Sequence, residues 1–467
     1  MLSRECTISG ILHCLSRILY ATPTDSIMAF WNIFIPDENA AAKLEELHHI
    51  AIYSDGDATP SNGVRSGNGT LADPYIISGY YVTGDLYIAD TDACFVVAEN
   101  YIRGQLTLNW NGQCVHAHHN FIRDLRVNEN IRRDGYATGG LIELNKISYV
   151  GQLRHYDGEF RDNVIGPFTA DDVWDTVLET VPFGFFVDTR AANIDGFNEA
   201  LIHHNTFYGS VDLDLHGHHH GTGFFAPHSH YHGDDDAKDM KHDHTERWTS
   251  VAFTDNLIVD PEGYGLRYED ENHAGDDRTA QSESEEDLEM DHTHYTDITL
   301  ARNTIEGGGL WVDIFNADDR NHDTRNPGSL QVVDNVVNFQ ERQQNDFILF
   351  GFQIRSPTSA ISIEAAKEVE LTVTGNQVSF TPLDSKDPVQ ELTGEMFRYE
   401  DDPAGINLYY VRDANVTVAG NIIENFPYGI RATQMDEKTH WNTEGNTFKN
   451  VGQDIWYDDS VANEPGV

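Results

Sequence analysis

One phrase recurs along this chain and leaves few folds open. Two alternating apolar positions are followed three residues later by asparagine, with another apolar residue two beyond it. It reads FVVAENYI at Asn100, VHAHHNFI at Asn120, VAFTDNLI at Asn256 and ITLARNTI at Asn303. It returns as LQVVDNVV at Asn335, LTVTGNQV at Asn376, VTVAGNII at Asn421 and WNTEGNTF at Asn446, with looser copies around Asn145, Asn163 and Asn205. Alternation with period two means strands. A spacing that falls to 20 residues between Asn100 and Asn120 means units too small to bury an apolar face alone. Stacking such units puts the inward Val, Ile, Leu and Phe in one column and the asparagines in a hydrogen-bonded ladder. The pattern therefore predicts an all-β chain, a right-handed parallel β-helix (a solenoid). A β-propeller would need about four strands per blade and blade signatures that are absent. Intervals of 41 to 51 residues must hold either two coils or one coil plus an insertion.

The register makes a specific expectation. Val97, Ala117, Phe253, Leu300, Val332, Val373 and Val418, each three residues before its asparagine, should all be buried. Asp37 can cap a short helix over Glu38–Leu47, placed to cover the open edge of the first coil. The expected organisation is a leader or extension over 1–36, then one β-helix domain over 37–467. Within the first segment, Thr7–Ala21 (TISGILHCLSRILYA) is apolar enough for a secretion signal, although His13 and Arg17 interrupt it. A disordered extension or a mis-called start is the other reading.

The segment His49–Asn100 carries HIAIYSDGDAT, NGVRSGNGTLADPYIISGY and LYIADTDACFVVAENYI. It resembles the opening of the NosD-like β-helix proteins, the periplasmic copper-binding family. The phrase Gly67–Tyr75 (GNGTLADPY) carries most of that likeness. The resemblance implies export to the periplasm, cell surface or extracellular space and a role in metal handling. It supplies no catalytic residues and does not extend to the histidine-rich stretches.

Charge narrows the partners. Against 77 Asp+Glu stand 30 Lys+Arg, a formal net charge of −47. Such a surface repels nucleic acid and anionic lipid, so neither is an expected partner, and no run of about 18 apolar residues is present to insert into a membrane. Acid excess with only 8 lysines suits solubility in high salt, or else an acidic metal-binding surface.

Function in a solenoid sits in the insertions between coils. Three are expected at one corner: 216–244, 269–294 and 317–326. The first, HGHHHGTGFFAPHSHYHGDDDAKDMKHDH, holds nine of the 23 histidines; the second, EDENHAGDDRTAQSESEEDLEMDHTH, is mostly acidic. Counting places Leu215 ten residues past Asn205 and Leu266 ten past Asn256, which sets the exits side by side. In an extended strand His-x-His points both imidazoles one way, ready to share an ion. The candidate metal ligands are His216, His218, His220, His228, His230, His232, His242, His244, His292 and His294, with zinc or copper as the ion. A solvated His/Asp tract without fixed geometry is the plainer alternative. His216–His232 superficially resembles multicopper oxidase segments but lacks their distant cysteine. HSHYHGD resembles a metallo-β-lactamase phrase but has its aspartate misplaced.

A second constellation lies outside the insertions. Cys94 and Cys114, each six residues before its asparagine, are expected to face outward on neighbouring strands, free or disulfide-linked. Arg103 and Arg123 are expected to stack, each three after its asparagine, and His116 and His118 share the outward face. With Arg132 and Arg133 these could serve a polysaccharide lyase or hydrolase acting on a glycan along that face. No paired-carboxylate signature of a polygalacturonase is present. A purely structural surface protein is the third reading.

Overall fold

The computed structural model describes residues 43–91, 93–111, 115–128, 140–154, 158–166, 190–195, 199–214, 247–260, 265–269, 294–313, 328–340, 348–349, 352–353, 359–364, 366, 369–382 and 403–457. Within them nearly every strand pairs in parallel, in a 12-stranded sheet and a 23-stranded sheet. Each strand of the first sheet marks one coil, which makes twelve coils among the described residues. One coil shows the plan. Strand His294–Ala301 lies in the 12-stranded sheet; the chain turns at Arg302–Asn303, and Thr304–Gly307 and Gly309–Asp313 then form two faces of the larger sheet. The protein is a parallel β-helix.

All seven residues expected to point inward are wholly buried. They belong to one continuous core cluster that runs from Ile50 to Trp441. At roughly 25 cal/mol per Å² of apolar surface, this stack is the main favourable contribution to folding.

The asparagines form an unbroken ladder. From Asn100 to Asn421, each side-chain Nδ2 donates to Oδ1 of the next asparagine at 2.9–3.2 Å. Each backbone N–H donates to that same oxygen at 2.9–3.0 Å. The second Nδ2 proton goes to a carbonyl one coil back, as Asn303 to Phe253 at 2.9 Å. Every polar atom of these buried amides is thereby satisfied. Because Asn205 meets Asn256 directly across 51 residues, even the longest interval holds one coil plus an insertion. Coil one has Tyr80 in the asparagine's place, and its N–H donates to Asn100 Oδ1.

The turn has a second rule that sequence pattern did not reveal. The residue before each of the eleven asparagines is left-handed: Glu99, His119, Leu144, Asp162, His204, Asp255, Arg302, Asp334, Gly375, Gly420 and Gly445 have φ between 53° and 72°. Non-glycine residues take this conformation at a cost of roughly 1–2 kcal/mol. The turn persists because the ladder fixes both its neighbours.

Two expectations about the first coil need correction. The helix over Glu38–Leu47 does not reach its expected end, because Glu45–Leu47 is a strand paired with Tyr80–Val82. Ladder bonds to the next coil satisfy these backbone groups better than an isolated short helix would. Residues 38–42 lie outside the described residues. The edge is covered instead by a loop: Arg65 N–H donates to Ile76 O at 2.7 Å, and Ile76 N–H to Ser66 O at 2.9 Å. Gly67, at φ 96°, leaves no room for a side chain, since a Cβ there would sit 1.9 Å from Pro74 O. The GNGTLADPY phrase is thus a tight structural turn over the end of the solenoid.

Candidate functional site

The ten histidines expected to ligate metal fall outside the described residues, apart from the backbone of His294, which opens strand His294–Ala301 opposite Arg247. What the structure does place is the roots of the insertions. The described chain stops at Asp214, Glu269 and Asp313 and resumes at Arg247, His294 and Gly328. Asp214 pairs with Glu269, and Glu269 with Asp313, so the three exits lie side by side on successive coils. The common corner holds, but the count used to find it does not: Leu266 pairs with Val211, not with Leu215. Four residues, 261–264, lengthen the corner of that coil before Gly265 begins the next strand. The exit position is acidic over five coils in register, from Asp195 through Asp214, Glu269 and Asp313 to Glu364.

On the same outward face of the larger sheet, the Arg267 guanidinium lies 4.9 Å from the centre of the Trp311 ring. Three coils further on, Arg431 donates to Asn407, Asn407 to Ser362, and Ser362 to Glu364, at 2.8–3.0 Å. These polar groups form one row across adjacent strands.

The most structured titratable cluster lies on the 12-stranded sheet. Alternation turns His116, Leu141, Glu159 and Leu201 outward in one column, and His118, Glu143, Arg161 and His203 in the next. The side chains join across four coils. His116 Nε2 lies 2.9 Å from Glu143 Oε1, and Arg161 Nη2 is 2.6 Å from Glu143 Oε2. Arg161 Nε is 3.2 Å from Glu159 Oε1, which is 2.8 Å from His203 Nε2. Burial alone would raise the Glu143 pKa, but the bonds from His116 and Arg161 outweigh it and hold the carboxyl below its ordinary value. The His118 pKa is lowered, first by burial and then by the neighbouring imidazoles of His116 and His119. At the turn, His118 Nδ1 meets His119 Nδ1 at 2.9 Å, and His203 Nδ1 meets His204 Nδ1 at 2.6 Å.

Sequence reasoning found His116 and His118 but missed Glu143, Glu159, Arg161, His203 and His204. The signal was present: the strand phrases at Asn145, Asn163 and Asn205 put those residues on the same register positions as His116, His118 and His119. Among the described residues no three His, Cys, Asp or Glu side chains already surround a common point as metal ligands would.

The expected arginine stack falls at a bulge: pairing shifts between Ile102 and Gln105, so Arg103 and Gly104 together oppose Arg123. Arg132 and Arg133 lie outside the described residues. Cys94 is covered rather than open to solvent: it is 5% exposed, and its N–H donates to Gly69 O of the capping loop. It is disulfide-bonded. Cys114, expected opposite it, lies outside the described residues, although Phe95 pairs with Val115 as that register requires.

Among the described residues, no helix is long and apolar enough to cross a membrane. No protein-family model, curated protein or solved structure gives a significant match to this chain. The NosD-like resemblance therefore rests on the residues of His49–Asn100 alone.

Proposed function

We propose that the protein is an extracytoplasmic β-helix scaffold that binds transition-metal ions, zinc or copper, through its His/Asp-rich insertions. One observation carries this reading: the insertions holding His216–His244 and His292 leave adjacent coils at register-matched positions. Strands are about 4.8 Å apart, so segments rooted there begin within reach of a common ion. The acidic exit positions offset part of a cation's charge, as carboxylates around imidazole ligands do. The Cys94 disulfide fits an oxidising compartment.

The test replaces His228, His230, His292 and His294 by Ala in pairs, in protein purified without nickel resin. Elemental analysis and competition titration should show bound metal falling stepwise. Unchanged stoichiometry and affinity in the quadruple variant would reduce the insertions to a solvated tract.

A further inference from the structure

Two turns of the solenoid, three coils apart, carry consecutive histidines before the ladder asparagine: His118–His119 and His203–His204. In each, the second histidine is left-handed, with φ 55° at His119 and 56° at His204. That conformation swings the second imidazole back against the first, so the two Nδ1 atoms meet at 2.9 and 2.6 Å. The ring planes stand at 87° and 77° to each other.

We infer that these two His–His turns are chelating sites for a divalent transition-metal ion that takes imidazole ligands. Two nitrogens about 2.0 Å from one ion lie about 2.8 Å apart at a right angle and about 3.3 Å apart at the tetrahedral angle. The observed 2.9 and 2.6 Å are hydrogen-bond separations close to that range, from which rotation of the rings would turn both lone pairs to a shared ion. Without an ion, one Nδ1 donates its proton to the other and the pair waits as a hydrogen bond.

Two further features point to a ligand rather than a chance contact. His203 uses its other nitrogen, Nε2, against Glu159 at 2.8 Å. A carboxylate on the far nitrogen fixes the tautomer and presents the Nδ1 lone pair, an arrangement that metal-ligating histidines usually have. Second, the left-handed position one coil earlier is acidic at both turns: Glu99 before His119 and Asp162 before His204. On the next coil, Asp255 is already held by Arg302 at 2.7–2.8 Å. Glu99, and Asp162 on leaving its 4.0 Å contact with Arg161 Nε, lie one coil spacing of about 4.8 Å away and can supply a third donor by turning their side chains, and water completes the set.

These sites do not depend on the insertions, and the experiment separates the two. Copper(II) alone is titrated into the full chain with equilibrium dialysis and electron paramagnetic resonance as readouts. The variant His119→Asn/His204→Asn keeps a residue that tolerates the left-handed turn and removes one imidazole from each pair. It should lose two copper ions per chain and the corresponding nitrogen-ligated tetragonal signal. The loss should appear equally in a background already carrying the four His→Ala insertion changes. Glu159→Gln should weaken one of the two sites roughly 10–100-fold and leave the number of ions unchanged at saturation. As a second disruption that leaves the turn backbone untouched, His118→Gln/His203→Gln should lose the same two ions. If both double variants melt like the parent and keep its copper stoichiometry and spectrum, the turns are hydrogen-bonded pairs only and the inference fails.

Discussion

Asn303 and Arg302 are neighbours in sequence, yet the first is fully buried and the second keeps 54% of its side chain exposed. At each of the eleven turns the residue before the asparagine is the more exposed of the two. Beyond the first coil, where Tyr80 stands, the inner corner holds asparagine alone, a primary amide that donates twice and accepts twice. The outer corner demands a backbone conformation and nothing of the side chain. It accordingly carries Glu, His, Leu, Asp and Arg in the first eight turns and glycine in the last three. A solenoid thus holds its architecture in one column and leaves the adjacent column open to chemistry.

The contrast can be broken from the inside first. Val373→Asp should give the largest effect, because a carboxylate at a fully buried position has no partner in the stack. A loss of about 5 kcal/mol or more is expected, read as failure to reach a cooperative melt. Asn303→Ala should cost about 3 kcal/mol in denaturant unfolding. It takes partners from Asn256 Nδ2, Asn256 N–H and Phe253 O on the coil before, and one donor from Asn335 Oδ1 on the coil after.

Substitution at the outer corner should run the other way or do little. Leu144 is 45% exposed at φ 56°. Leu144→Asn should stabilise by about 0.5–1 kcal/mol by relieving left-handed strain, measured as a raised midpoint with unchanged slope. A destabilisation would mean that the outer column has packing requirements of its own. The smallest effect belongs to Asp255, whose pKa is lowered chiefly by its hydrogen bonds from Arg302. A depressed carboxylate contributes stability above its unfolded pKa of about 3.9, and that contribution disappears as pH falls through the folded value. Asp255→Asn should therefore flatten the acid limb of the stability curve while changing neutral stability by well under 1 kcal/mol.

Much of the inner corner was legible because its constraint is chemical identity. An asparagine that recurs with apolar residues at fixed offsets can be read directly, and all seven inward positions followed from it. The outer corner was illegible for the opposite reason. A backbone angle leaves no fixed residue type behind, so Glu99, Leu144 and Arg302 share a conformation without sharing chemistry. The counting error at Leu266 has a related cause, since residues 261–264 change the length of a corner while leaving the strand alternation intact. The His–Glu–Arg strip escaped because its members come from four coils with up to 44 residues between contacting partners, as between Glu159 and His203. Only the register of the stack makes them neighbours.

The asparagine ladder also has a direction. From Asn100 to Asn421 each Nδ2 donates one proton to Oδ1 of the next asparagine toward the C-terminus, so all these amide-to-amide bonds run the same way. Aligned amides polarise one another, so each bond strengthens as the row lengthens. Their dipoles add head to tail, with the positive end at the last coil. An acidic solenoid with such a spine is electrically asymmetric along its axis. In an applied field, or beside a charged surface, its two ends would be distinguishable even if the outer faces were made identical.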